Sequence, residues 1–196
     1  APERLSRALE EAASGAESTS TRVALLEQAA GVEQEALGNL ERAITLRRSV
    51  LPLVASSDDE LLRATKALDV LLEKAGRLEE LCDALERVAE LERDEAAKKK
   101  VLADVARIAE RDLSDPARAQ RALERRLELD PRAAQAQDPL VELLERRVSR
   151  GDHERDPSIA ERLDALLELR AEHRGDAALS DLLRLAELRE HVLGDP

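Results

Sequence analysis

The chain has 196 residues, 43% hydrophobic and 38% charged, a balance that suits a folded helical protein and excludes a disordered one. With 43 acidic against 31 basic residues the net charge is −12, so the composition offers no basic footprint for nucleic acid. A single cysteine, Cys82, excludes an internal disulfide and a thiolate zinc site, and no apolar run nears the roughly 18 residues of a membrane span.

Taken in chain order, apolar residues recur at helical spacing nearly throughout, and nothing alternates with the period of two that a strand needs. The spacing predicts ten helices, at roughly 2–14, 20–37, 40–53, 58–75, 77–92, 94–112, 116–129, 137–150, 157–173 and 176–193. In the first link, "SGAESTST", a Ser or Thr is expected to cap the second helix. Gly38 and Gly76 stand where the second and fourth helices stop. "SSDDE", 56–60, opens the fourth with a cap followed by acids at the positive end of the helix dipole. Cys82 falls beside Leu78, Leu81 and Leu85 on the apolar side of the fifth helix and reads as a buried, inert thiol. "KKK", 98–100, reads as solvated surface on the sixth. Pro116 follows Asp115 and suits the first turn of the seventh helix, whereas Pro131 and Pro139 bracket a break. A longer polar loop, "SRGDHERDPS", precedes the ninth helix. "RGD", 174–176, reads as a glycine stop followed by an Asp cap.

Three turn phrases recur: Leu37-Gly38-Asn39-Leu40, Leu113-Ser114-Asp115-Pro116 and Leu193-Gly194-Asp195-Pro196. Superimposed, at offsets of 76 and then 80 residues, they bring the preceding helices into register. Leu26, Leu102 and Leu182 coincide, as do Ala29, Val105 and Leu185. Ala30, Ala106 and Ala186 share a small-residue site. The period is two helical hairpins, each of about 38 to 40 residues.

This pattern resembles the tetratricopeptide repeat, whose signature runs W-x2-L-G-x2-Y, then A-x3-F, then P. Leu102-x2-Val105-Ala106-x2-Ala109 leads here to Ala119-x3-Leu123 and "LELDP", 127–131, and Thr65-x2-Leu68-Asp69-x2-Leu72 leads to "KAGRLEEL", 74–81. Sites where that family favours an aromatic ring hold Leu26, Glu33, Arg47, Leu78, Leu102, Ala109, Leu123 and Arg189. Phe, Tyr, Trp and Met are absent from the whole chain. At Glu33, Ala109 and Arg189 the exchange is expected to leave a gap, bring charge inward, or place the residue in solvent.

The resemblance implies an all-α fold, an α-solenoid of antiparallel helical hairpins wound as a right-handed superhelix. It is expected to be a single array over 1–196, with hairpins at about 20–53, 58–92, 94–130 and 137–173 and half-hairpins at 2–14 and 176–193. Because the array opens and closes on half-hairpins, the chain reads as a fragment of a longer repeat protein. The implied function is a protein–protein interaction scaffold that takes a peptide or helical partner on a concave face lined by the first helix of each hairpin. Glu27, Gln34, Arg107, Glu110, Glu187 and Glu190 are the candidate lining residues. A self-associating assembly element, joined through the terminal helices as a homo-oligomer, is the rival reading; an engineered aromatic-free scaffold without a natural ligand is a third.

No catalytic, cofactor-binding or metal-binding residue emerges. His153, His173 and His191 lie apart in sequence, without the paired spacing of a metal site. Phosphate-cradling glycine loops and a nucleophile elbow are absent, so the chain is not read as an enzyme. Nucleic acid and membrane are excluded as partners, no cofactor is called for, and the cytoplasm is the default compartment.

Overall fold

The computed structural model describes residues 1–173 and 178–194, so the glycine stop and Asp cap expected at Arg174-Gly175-Asp176 and the closing Asp195-Pro196 lie outside the described residues. Among the described residues ten α-helices follow one another: α1 (Pro2–Gly15), α2 (Thr19–Gly31), α3 (Leu40–Val54), α4 (Asp58–Lys74), α5 (Leu78–Leu91), α6 (Glu95–Arg111), α7 (Pro116–Leu129), α8 (Ala134–Ser149), α9 (Ser158–His173) and α10 (Ala178–Leu188). Wider π turns extend α2 through Val32–Ala36 and α10 through Arg189–Leu193. Among the described residues there is no strand. The chain divides into two compact units, Ala1–Val101 and Leu102–Pro196, the division falling inside α6. In the first, α1 to α5 each pack on the next; in the second, α7 to α10 do the same. Short links turn each helix back along its neighbour, giving an all-α array of antiparallel hairpins.

The turn phrases share a left-handed second residue. Gly38, Ser114 and Gly194 all adopt the left-handed conformation, with φ of 64°, 55° and 70°. In the first two, the next residue caps the following helix: Asn39 Oδ1 accepts from the Arg42 N–H and Asp115 Oδ1 from the Arg118 N–H. The same backbone bonds close both turns. Leu37 donates to Val32 and Leu113 to Ile108, five residues back, while Asn39 donates to Glu33 and Asp115 to Ala109, six back. Ser18 caps α2 by accepting from the Thr21 N–H, and Ser57 caps α4 from that of Glu60.

One boundary differs from its sequence expectation. α8 begins at Ala134, ahead of the expected 137, so the break bracketed by Pro131 and Pro139 is shorter than expected and Pro139 lies well inside the helix. The buried Gln137 donates from Nε2 to the Pro131 carbonyl at 2.7 Å, which anchors the loop early. Leu140, Val141, Leu143 and Leu144 are buried behind Pro139 and hold the helix against the one N–H bond it forfeits.

The cores are aliphatic. Ala29, Ala30 and Leu46 cluster with Leu9 and Leu26, and Val50, Val54, Leu61 and Ala64 cluster with Val23 and Leu91. At the sites where a ring was absent from the sequence pattern, Leu102, Ala109 and Leu123 are buried. Of the three charged replacements, Glu33 and Arg189 find partners, whereas the Nε of Arg47 is buried without one. Glu33 is buried and accepts from Ser6 Oγ of α1 at 2.6 Å. Arg189 forks onto Asp164 at 2.6 and 2.9 Å, which, with Glu168, raises its pKa further. In the second unit Arg170 and Asp181 form a buried ion pair at 3.1 Å between α9 and α10, and Arg170 also reaches Asp138 of α8. Of the three small-residue sites, Ala30 and Ala106 are buried, whereas Ala186 is exposed. α10 buries its other stripe, Asp181, Leu185 and Leu188, and packs on α9.

The corresponding site in α4 holds Asp69. Burial, seconded by Glu73, pushes its carboxyl up to about 6, against the opposing pull of the Val70 backbone and Lys66. A carboxyl whose folded pKa is raised destabilises the fold when ionised, so the penalty is full above about pH 6 and fades as the pH falls toward the ordinary value. Asp69→Asn should therefore be more stable than the parent at pH 7. The difference should close between about pH 6 and pH 4 in urea melts taken across that range.

Two glycines seven residues apart should respond with opposite signs. A Cβ on either would meet no atom within 4 Å. Gly31 is helical at φ −61°, so Gly31→Ala should stabilise by about 0.5–1 kcal/mol. Gly38 is left-handed, so Gly38→Ala should cost about 1 kcal/mol. Paired denaturant midpoints check both.

Candidate functional site

The second unit carries a groove of about 570 Å³ built from three successive helices. α6 contributes Ala103, Ala106, Arg107, Glu110 and Arg111; α7 contributes Pro116, Leu123 and Arg126; α8 contributes Pro139, Glu142, Leu143, Arg146 and Arg147, with Arg150 just beyond its end. Left-handed Ser114 lies at the edge, where the α6–α7 turn reverses the chain. Spacing explains the lining. Arg107 and Arg111, like Arg146 and Arg150, are four residues apart and share a helix face. Alanines at 103 and 106 leave α6 without bulk on that side, so the arginine stems form much of the wall.

Several of these charges are already engaged. Arg146 pairs with Glu110 across helices and more loosely with Glu142. Arg147 bonds Gln120 and reaches Asp152 at 3.3 Å. A neighbouring bond, Gln120 Nε2 to Glu124 at 3.0 Å, holds Gln120 in place, and Arg162 of α9 lies 3.4 Å from Glu124. The lining sets arginine and glutamate side chains beside Ala103, Pro116, Leu123 and Pro139, so it offers charge-assisted hydrogen bonds next to apolar contact.

The first unit has a groove of about 510 Å³ among α3, α4 and α5. Leu51, Pro52, Leu61, Leu68 and Leu72 line it, and its charges balance: Arg48 and Arg87 against Glu80 and Asp83.

Of the six residues singled out from sequence, the structure brings two together: Arg107 and Glu110 both line the α6–α8 groove. Glu27 is exposed on α2, and Gln34 is half-buried in the π turn behind it. Glu187 is exposed on α10, and Glu190 borders a shallow apolar depression with Leu182, Leu185, Ala186 and Arg189. Sequence reasoning missed Arg111, Arg126, Arg146, Arg147 and Arg150. The four-residue spacing of Arg107 with Arg111 and of Arg146 with Arg150 was a visible signal; that α7 would set Arg126 between them was not.

Among the described residues no three His, Cys, Asp or Glu side chains gather as a metal would need. His153 and His173 lie with Nδ1 within 3.1 and 2.8 Å of the Val148 and Leu169 carbonyls. Cys82 is fully buried. No helix among the described residues is long and apolar enough to cross a membrane.

No protein-family model matches the chain, and no curated protein does. Solved structures of helical repeat proteins align with it. A putative kinesin light chain from Podospora anserina with nearly identical TPR-like repeats does so at TM-score 0.48 and 17% identity, over 88% of this chain and 87% of that one. A double mutant of MamA from RS-1 gives TM-score 0.44 and 20% identity, over 89% and 88%. A tetratricopeptide repeat protein from Parabacteroides merdae gives TM-score 0.44 and 15% identity, over 97% and 72%.

Proposed function

We propose that the chain is a protein-interaction scaffold that holds a segment of a partner protein in the α6–α7–α8 groove, as part of one repeat array over 1–196. The observation that carries this reading is the groove itself, whose lining joins apolar side chains to charged ones. Binding sites combine apolar contact area with a few orienting polar groups, and this groove offers both. Stacked helical hairpins are well suited to presenting such surfaces, because each hairpin contributes one wall to a cleft shared with the next.

The absence of rings gives this reading a clean test. The chain contains no Trp, Tyr or Phe, so one tryptophan placed on the groove wall is its only aromatic fluorophore. Ala103→Trp should shift its emission when an array of defined peptides is screened and one enters the groove. Ala117→Trp, at an exposed position on α7 outside the groove, should not respond to the same peptide. Equal responses at both sites would show surface adsorption, and silence at both would remove the groove as a binding site.

A second reading rests on α10. Leu179, Leu182 and Leu183 are 66%, 50% and 60% exposed on one short helix. Contiguous exposed apolar side chains of this kind commonly mark a contact surface. The matching observation on α1 is Leu5, 53% exposed. We infer that a second copy covers the α10 stripe at high protein concentration. Sedimentation velocity across a concentration series should show association that Leu182→Glu weakens and Glu27→Ala leaves intact; a strict monomer throughout would exclude it.

A further inference from the structure

The α6–α8 groove gathers six arginines, Arg107, Arg111, Arg126, Arg146, Arg147 and Arg150, against two carboxylates, Glu110 and Glu142. In a chain of net charge −12 such a concentration runs against the average, and the first unit's groove, with two charges of each sign, lacks it. Half of the six have their charge met. Arg146 is held by Glu110 and Arg147 by Asp152, and Arg107 stands 3.9 and 3.8 Å from Asp104 and Asp112. Arg111, Arg126 and Arg150 carry no ion pair among the described residues. The Nε of Arg126 is buried with no hydrogen-bond partner. A guanidinium N–H shut away from water without an acceptor is costly, and an incoming carboxylate would recover that cost through a charge-assisted bond.

From this we infer that the groove, if it is the partner site proposed above, selects its segment by negative charge: an acidic, leucine-bearing stretch of a partner protein. Its carboxylates engage Arg111, Arg126 and Arg150, and its apolar side chains lie against Leu123 and Pro139. The glutamates already in the groove set an order among the arginines. Arg146 and Arg147 are spent on internal bonds that fix the wall, which leaves the three unpaired ones to read the ligand. A long phosphate backbone is disfavoured as the occupant. Its many charges would meet the acidic remainder of the chain, whereas the few charges of a short segment are decided within a Debye length by the local arginines.

The probe is a fluorescein-labelled ten-residue peptide of alternating Glu and Leu, with counterparts in which Gln or Lys replaces Glu. On the full chain the Glu peptide should bind most tightly and the Lys peptide not at all, and binding should weaken as salt rises from about 0.05 to 0.5 M. Arg126→Gln and Arg150→Gln should each lower the affinity about tenfold. Arg121→Gln, exposed on α7 outside the groove, should leave it unchanged. Thermal melts followed by circular dichroism verify folding. Arg150 is exposed at the end of α8, so Arg150→Gln carries the test should Arg126→Gln unfold. If the Gln peptide binds as well as the Glu peptide and shifts the Ala103→Trp emission, the groove stands as a site and the selection for acid is overturned. If no peptide of any charge shifts that emission, the groove reading falls with it.

Discussion

Every packed site in this chain has to be filled without an aromatic ring, and that constraint shapes the rest. A buried ring supplies about 150–250 Å² of surface from one residue. Without one, helices must come closer together to remove comparable area from water. Alanine permits the approach: Ala29, Ala30, Ala43, Ala89, Ala109 and Ala119 are all at 0% exposure. Leucine and isoleucine complete the cores, with Leu71, Leu72, Leu102, Leu140, Leu144 and Ile159 nearly as inaccessible. Close approach leaves little tolerance for a larger side chain at the alanine sites. Asp69 shows the consequence of breaking the pattern, since the fold pushes its carboxyl up to about 6 to accommodate it.

Several polar groups drawn inward by the packing find partners. Glu33 meets Ser6, Arg189 meets Asp164, and Arg170 meets Asp181. Each pair joins two helices, so what is lost in apolar area at these positions is partly replaced by directional contacts that fix register. Desolvation offsets much of the attraction in a buried pair, and the gain lies more in specifying one arrangement than in net stability. The left-handed turn residues do comparable work at the helix ends. By reversing the chain in the same way at Gly38 and Ser114, they place Asn39 and Asp115 where each can cap the next helix.

Much of this was legible in the sequence because it is local. Helical spacing, capping residues and the recurrence of Leu-Gly-Asn and Leu-Ser-Asp depend on residues within a turn or two of one another, and the helices and turn geometry follow them. Even a serine in the left-handed site could be anticipated from its alignment with glycine. The partners of Glu33 and Arg189 could not, because Ser6 and Asp164 lie 27 and 25 residues away and nothing local marks them. The start of α8 was misplaced for the same reason: a buried Gln137 bond and the core behind Pro139 outweigh the local signal of a proline. Of the candidate lining residues, only Arg107 and Glu110 share a groove; a rule that counts first helices alone omits what α7 supplies, and the arginines of α8 were not singled out.

The charge distribution follows from the same geometry. Glu and Arg alternate along exposed helix faces, where pairs such as Arg87 with Glu90 contribute little and cancel in sum. Cancellation is incomplete in the α6–α8 groove, where six arginines share the lining with only Glu110 and Glu142. Glu110 and Asp152 answer two of the groove's arginines, and Arg126, set between α6 and α8 with its Nε buried, is left unanswered. Composition alone describes this chain as acidic. The lining of the groove has the opposite balance, with six arginines against two glutamates.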